Sequence, residues 1–442
     1  MLSVDLLKSG RMFLVALWAL LLINNPANAA LTIEITKGQQ GALPIAVIPF
    51  GWQGPAPYPP QNVAAIIAND LTISGRFSPL EEKDLIARPT EGRQVNFRDW
   101  RLLGAPNIVV GKVIAEGDRY KVQFQLFDVY REIQQVGFSF EASGKDLRRL
   151  AHKISDLIYE TLTGERGAFA TRIAYIKAND GQAGRMYSLF VADVDGHDAQ
   201  LIVRSRYPLM SPSWSPDGTR LAYVSFENGR SMIYVQNVLT GERERVSAFK
   251  GINGAPTWSP DGKRLAMSLS KDGNSEIYVM HLGSKRLRRL TNHYAIDTEP
   301  TWSPSGDSIA FTSDRGGRPQ IYQISAQGGG KAERLTYDGR QNLNPVYSPD
   351  GKRLAMIRGE GGSYRVAVMD LENKMTQILT DARLDESPSF APNGSMVIYA
   401  TEYMGRGVLS AVSVDGRVQQ RIGLQEGGDA REPAWGPFLS NK

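Results

Sequence analysis

The 442-residue sequence contains no cysteine. That excludes disulfide staples, thiol redox chemistry and thiolate metal sites, so stability has to come from buried surface. Histidine is scarce too. His152, His197, His281 and His293 are the full set, none at metal-ligand spacing from another, and no H-E-x-x-H motif occurs. The G-x-S-x-G turn that presents a nucleophilic serine is missing. Glycine-containing stretches such as "EGGSYR" and "DRGGRPQ" are not followed by a helix, which excludes a phosphate cradle. The net charge is only +5, with no basic block interleaved with aromatics, so nothing points to nucleic acid.

Long apolar runs are also rare. The exception is "MFLVALWALLLI", too short to span a bilayer comfortably. Lys8 and Arg11 precede it, and Ala27 and Ala29 form an A-x-A site after it. This pattern predicts a secretory signal peptide over residues 1–29, a mature chain starting at Ala30 or Leu31, and export. Removal takes away Lys8, Arg11 and Asp5 and leaves a mild +4, which reads as a solvated surface.

What the sequence does have is a repeat. "SPSWSPDGTRLAYVS" begins at Ser211, and related copies follow as "APTWSPDGKRLAMSLS", "EPTWSPSGDSIAFTS", "NPVYSPDGKRLAMIR", "SPSFAPNGSMVIYAT" and "EPAWGPF". The aromatic positions are Trp214, Trp258, Trp302, Tyr347, Phe390 and Trp435, spaced by 44, 44, 45, 43 and 45 residues. A period that regular is the mark of a repeat architecture.

Each copy reads as four short strands. The "TW" pair is expected to open an inner strand, and Pro-Asp-Gly to form a turn in which Pro presets φ and Gly accepts φ > 0. An alternating second strand follows: "RIAYIK" from Arg172, "RLAYVS" from Arg220, "RLAMSL" from Arg264, "SIAFTS" from Ser308, "RLAMIR" from Arg353 and "MVIYAT" from Met396. Third and fourth strands, such as "EIYVM" and "RLRRLT", complete the unit. Four antiparallel strands per ~44 residues predict a six-bladed β-propeller over residues 166–442. Ala174, Ala222, Ala266, Ala310 and Ala355 recur where sheets must approach, with Ile398 in the sixth copy. The aromatics are expected to fill the space between blades. The ends are out of phase: the first copy lacks its W-S-P, and the chain ends on "EPAWGPF". The C-terminal segment should therefore supply the inner strand of the first blade and close the ring.

Residues 30–165 carry no repeat and read as a small α/β domain. "LPIAVIPF" is a buried strand, "NVAAIIANDLTISG" a helix capped by Asn62, and "NIVVGKVIAEGDRYKVQFQLFDV" a hairpin. In "DLRRLAHKISDLIYETLTG", Leu147, Leu150, Ala151, Ile154, Leu157 and Ile158 share one helical face. The 135 residues ahead of the propeller are too few for the α/β-hydrolase domain of propeller peptidases. "DVDGHD" (Asp193, Asp195, Asp198) shares part of a calcium-loop pattern but reads as a turn between outer strands. No cofactor, metal site or catalytic constellation is expected.

The segments leading into the inner strands, "GINGAP", "AIDTEP", "RQNLNP", "RLDESP" and "GDAREP", should rim one mouth of the channel as an exposed binding set. The mature N-terminus, "LTIEIT", alternates Leu31, Ile33 and Ile35 with Thr32, Glu34 and Thr36, a half-buried strand that can dock on its own protein or on a partner.

Taken with "TGERGAFATRIAYI" at the junction, "NGAPTWSPDG", "TEPTWSPSG", "TSDRGGRPQIY" and "LDESPSFAPNG", the whole chain resembles the TolB family of the Tol–Pal envelope system. The resemblance implies a non-enzymatic, monomeric interaction hub in the periplasm. It implies that the lipoprotein Pal docks at the rim on Asn253, Gly254, Ala255, Thr298 and Glu299, and the rim geometry extends the expected contact set to Asp297, Asn342, Asn344, Asp385, Glu386, Arg431 and Glu432. It implies binding of TolA through Leu31, Thr32, Ile33, Glu34 and Ile35. Membrane contact would be indirect, through these partners, in support of outer-membrane integrity and cell division. In some bacteria a bacteriocin peptide enters the channel. Tyr347 and Phe390 in place of Trp, and Ser305 in place of Asp, depart from the repeat in packing and turn positions. The competing expectation is an exported propeller lyase or glycosidase working at the channel mouth.

Overall fold

The computed structural model describes residues 41–181, 184–424 and 427–439, together with the backbone course of 34–37. The expected signal peptide lies outside the described residues.

The α/β domain is a six-stranded sheet with two long helices packed on one face and a short helix, carrying Trp100, on the other. Its strands are β2 (Leu43–Val47), β3 (Gly51–Gln53), β4 (Phe77–Pro79), β5 (Asn107–Glu116), β6 (Arg119–Asp128) and β7 (Ile133–Ser143), in the order β4-β2-β5-β6-β7 with β3 also on β5. β2 pairs parallel with β4 and β5, whereas β5, β6 and β7 form the expected antiparallel meander. Helix α1 (Val63–Ile73) starts where Asn62 accepts a hydrogen bond from the Ala65 N–H, as the sequence predicts. After the short α2 (Phe97–Leu102), α3 (Leu147–Thr163) ends at Gly164, whose φ of 76° is the left-handed stop. Its apolar face buries Leu147, Leu150, Ala151, Ile154 and Ile158 against α1 and the sheet, with Leu157 at the margin. The core also takes in Phe169 from the connecting segment, edge-on to Tyr159.

Six four-stranded blades follow. Blade 1 combines β8 (Arg172–Gly181), β9 (Gly184–Asp193) and β10 (Gln200–Ser205) with the C-terminal strand Asp429–Trp435, which pairs antiparallel with β8. The ring is thus closed by its two ends, as expected from the phase of the repeat. The other inner strands are Leu209–Trp214, Asn253–Trp258, Asp297–Trp302, Gln341–Tyr347 and Asp385–Phe390. Blade 6 carries an extra strand: β1 (Glu34–Lys37) pairs antiparallel with the outer strand Gln419–Arg421.

One expectation needs correcting. The Thr-Trp pair ends the inner strand instead of opening it. The strand begins five residues earlier, and Ser-Pro-Asp-Gly turns the chain directly after the aromatic. In that turn Ser215 donates to Asp217 and accepts from the Arg220 N–H, while Gly218 sits at φ 67°; Ser259–Asp261 and Ser348–Asp350 repeat the arrangement. The proline two residues ahead of the aromatic sits within the strand, where a bulge interrupts the ladder.

The aromatics do lie between blades. The Trp258 indole N–H donates to Ser213 O of the previous inner strand at 3.1 Å, Trp302 to Thr257 O at 3.2 Å and Trp214 to Ala434 O at 3.1 Å. Each ring packs over the small residue of the preceding blade, Trp258 with Ala222 and Trp302 with Ala266. Arg220 and Arg264 cover the outer faces, with guanidinium carbons 4.6 and 4.7 Å from the ring centres. Trp302→Ala should therefore cost about 3–5 kcal/mol, measured by denaturant unfolding. Truncation before Glu432 removes most of an inner strand together with Trp435. It should lower the melting temperature far more than a tail deletion does, and an unchanged transition would refute closure by the C-terminus.

Candidate functional site

The inner strand is the edge of every sheet, so six strand edges face a central channel. All six strands carry the same irregularity. Ser211, Ala255, Glu299, Asn344, Ser387 and Glu432 have φ between 45° and 54°, and each precedes a proline. Left-handed backbone at a non-glycine residue costs about 1–2 kcal/mol, and here it recurs in every blade. The bulges and their prolines line a cavity of about 840 Å³.

Charge in the cavity has one sign. Glu299, Glu386 and Glu432 line it, and among the described residues no basic side chain does. Two of the carboxylates are tied across blades: Glu299 accepts from the Asn344 N–H at 2.8 Å and from Thr312, and Glu432 accepts from the Ser211 N–H. Burial pushes the Glu432 carboxyl up to about 7; the Ser211 N–H opposes this and the neighbouring Glu386 adds to it.

The expected rim residues divide into two groups. Gly254, Ala255, Thr298, Glu299, Asn344, Glu386 and Glu432 are partly exposed at the mouth, and Arg431 is exposed beside Asp429. Asn253, Asp297, Asn342 and Asp385 are buried, which corrects their reading as exposed contact residues. Asn253 accepts from Ser247 and the Phe249 N–H and donates to Phe249 O and Gly251 O. Asp297 accepts from Arg315 at 2.6 Å, Asn342 donates to Gln320 and Asp338 O, and Asp385 accepts from Thr380. These four fasten the loops that carry the rim. Asn253 and Asn342 do so by satisfying backbone groups of the turn into the strand, Asp297 and Asp385 by holding a neighbouring side chain.

The sequence reading also missed the apolar part of the rim. Tyr207, Met210, Ile252, Tyr294, Ile296, Tyr337, Leu384 and Met404 are all exposed, in loops and hairpins that the strand directions place at the mouth end. Ile252, Ile296 and Leu384 share one repeat position, directly before the buried residue that heads each inner strand, whereas Tyr294, Tyr337 and Met404 share none. Of the N-terminal set, Leu31, Thr32 and Ile33 lie outside the described residues. Glu34 and Ile35 pair with Arg421 and Gln420 at the edge of blade 6, remote in sequence from the rim.

A second polar cluster, also missed, joins the α/β domain to blade 1. It brings together Asp70, Arg148, His152, Asp193 and Asp195. Asp70, His152 and Asp195 are close enough to share a cation, but Arg148 already pairs with Asp195. The "DVDGHD" segment is the turn it was read to be, leading from β9 into β10.

The raised Glu432 carboxyl carries a pH signature. The folded state holds its proton between the ordinary glutamate range and about 7, so stability falls as pH rises through that window. Glu432→Gln should flatten this segment of the stability curve. At pH 8 the variant should be more stable by about 1–2 kcal/mol, the open channel's water limiting the gain. Denaturant unfolding of both proteins at pH 5 and pH 8 checks it.

The sequence profile of the TolB amino-terminal domain matches residues 31–135, and that of the TolB beta propeller domain matches residues 159–439. The Tol-Pal system protein TolB of Nitrosococcus oceani is 58% identical over 419 residues, covering 94% of this chain and 96% of that protein. Its counterpart from Xanthomonas euvesicatoria is 56% identical over 441 residues, covering 98% and 99%. The crystal structure of TolB from Acinetobacter baumannii superposes with a TM-score of 0.85 at 41% identity, covering 92% of this chain and 99% of that one. With both domains matched in order and nearly full-length relatives above half identity, the chain belongs to the TolB family.

Proposed function

We propose that this protein is a non-enzymatic interaction hub of the Tol–Pal system, exported to the periplasm as residues 30–442. In this reading residues 30–165 are the α/β domain and 166–442 the propeller. The channel mouth binds the lipoprotein Pal, the N-terminal strand is offered to TolA, and the pair of contacts supports outer-membrane integrity and constriction at division. Bacteriocin peptides that enter the channel would exploit the same mouth.

The observation that carries the reading is the repeated bulge. Strained backbone kept at six equivalent positions points to use at that site. Around it, acidic side chains sit inside a ring of exposed apolar tips, the composition of a protein-binding surface with a polar centre. Among the described residues no helix is long and apolar enough to cross a membrane.

Tyr294→Asp and Met404→Asp, both at exposed tips, should weaken Pal binding in calorimetry by at least tenfold while moving the melting temperature little. Undiminished Pal binding in both tip variants removes this face from the reading. Cleavage of a glycan by the wild type, lost in Glu432→Gln, would favour the lyase or glycosidase alternative.

The N-terminal strand has its own test. β1 is a short strand on the edge of blade 6, which suits a segment that trades one sheet for another. Deleting residues 31–36 should abolish TolA binding and leave Pal binding unchanged or tighter, by a coupling typically of ~1–3 kcal/mol. Intact TolA affinity in the deletion variant refutes the assignment.

A further inference from the structure

His152 sits on α3 with 1% of its surface exposed, and both of its ring nitrogens face carboxylates. Nδ1 is 3.0 and 2.8 Å from the two oxygens of Asp70 on α1, which also accepts from Ser155 at 2.6 Å. Nε2 points out of the α/β domain toward the turn after β9, 3.9 Å from Asp195 Oδ2 and 4.0 Å from Asp193 Oδ2, and makes no direct hydrogen bond. One turn earlier on α3, Arg148 reaches the same two propeller carboxylates, donating to Asp195 and lying 3.5 Å from Asp193. Asp195 itself is 1% exposed.

We propose that His152, clamped between Asp70 and the Asp193–Asp195 turn, forms with Arg148 an ionic latch that locks the α/β domain onto blade 1. Three carboxylates, Asp70 and Asp195 buried and Asp193 partly so, meet here against the Arg148 guanidinium, so a neutral imidazole would leave negative charge uncompensated at the junction. A protonated ring donates to Asp70 on one side and presents its remaining N–H to the propeller on the other. Burial alone would push the His152 pKa down, but Asp70, Asp195 and Asp193 outweigh it and raise it to about 9. The other groups around it do not change that sign. Asp156, further along α3, is held up at about 6 by burial, Arg172 favours the charged form of Asp193, and His197 is held down by burial. The latch is therefore closed at neutral pH and opens as pH rises through about 9.

A second fastening keeps the halves together when the latch opens. Asp156 accepts from the Phe169 N–H at 2.7 Å and the Ala170 N–H at 3.2 Å, pinning the connecting segment to α3. With the latch released, that segment and the close approach of Gly75 to Val418 of blade 6 still tether the α/β domain to the propeller.

The test uses the full-length mature chain and the double variant Asp193→Asn/Asp195→Asn, which keeps shape and removes the propeller's charges. At pH 7 the wild type should unfold in one calorimetric transition and the variant in two, with the propeller transition retained. Trypsin cleavage after the exposed Arg166, in the connecting segment, should be about tenfold faster in the variant. At pH 10 the wild type should acquire the variant's two transitions and faster cleavage, whereas the variant should change little between pH 7 and 10. His152→Gln should behave like the double variant at both values. Two transitions in the wild type at pH 7, or identical unfolding and cleavage in wild type and double variant, overturns the latch. A rise in wild-type melting temperature with added zinc, reversed by EDTA, also overturns it, because a metal ion would then be doing the work assigned to the proton.

Discussion

The propeller depends on the seam between blades, where an aromatic ring closing one inner strand lies against the blade before it. The ring alone would be a hydrophobic filler. The indole N–H makes it directional, because it reaches a carbonyl of the preceding inner strand and so sets the height of one blade relative to the next. That contact needs a small residue beneath the ring, which is why Ala222, Ala266 and their equivalents are fully buried and cannot grow. Where the aromatic is Tyr347 the phenol takes over, donating to Gln323 of the preceding blade at 3.1 Å, and where it is Phe390 packing over Ala355 carries the seam alone. The sixth seam differs again. Trp435 packs beside the bulkier Ile398, and its indole donates to Thr171 in the segment entering blade 1. Ring closure is thereby tied to the domain junction.

The same strands make the channel mouth. An inner strand must end on its aromatic at the seam and begin at the rim, and a regular ladder of that length leaves no freedom at the mouth. The bulge before each proline supplies it, turning one residue per blade into the left-handed region at the channel wall. Glu299 and Glu432 then bridge to the backbone N–H of the next bulge, so the acidic character of the channel is also part of how neighbouring blades meet. Stability and recognition share these residues, which argues for reading partner contacts from the exposed tips before the buried ring.

The fold was legible because its signals are periodic. Spacing of the aromatics, alternation in the second strands and the out-of-phase ends each follow from a repeat, and together they leave little choice of architecture. The α/β domain was legible for a different reason, through the Asn62 cap, the Gly164 stop and the apolar face of α3. The candidate site was half legible. Sequence alone located the mouth, but could not tell Asn253 from Gly254 or Asp297 from Thr298, because adjacent residues in a strand point to opposite sides and the bulge shifts which side that is. Exposed Tyr294, Tyr337 and Met404 carry no pattern at all.

His152 shows the deeper limit. On the helix it falls among core residues, one position from Ala151, and sequence assigns it no role. Its partners come from α1 and from a turn of blade 1, elements 82 and about 40 residues away whose approach only the assembled fold creates. A buried charge of this kind adds little to net stability compared with apolar packing of the same volume. What it adds is a defined geometry: an imidazolium between carboxylates on two domains fits one relative placement and loses its compensation in others. The seams hold the propeller rigid by shape, and the junction holds the α/β domain by charge, so a change in mutual orientation costs least at the junction.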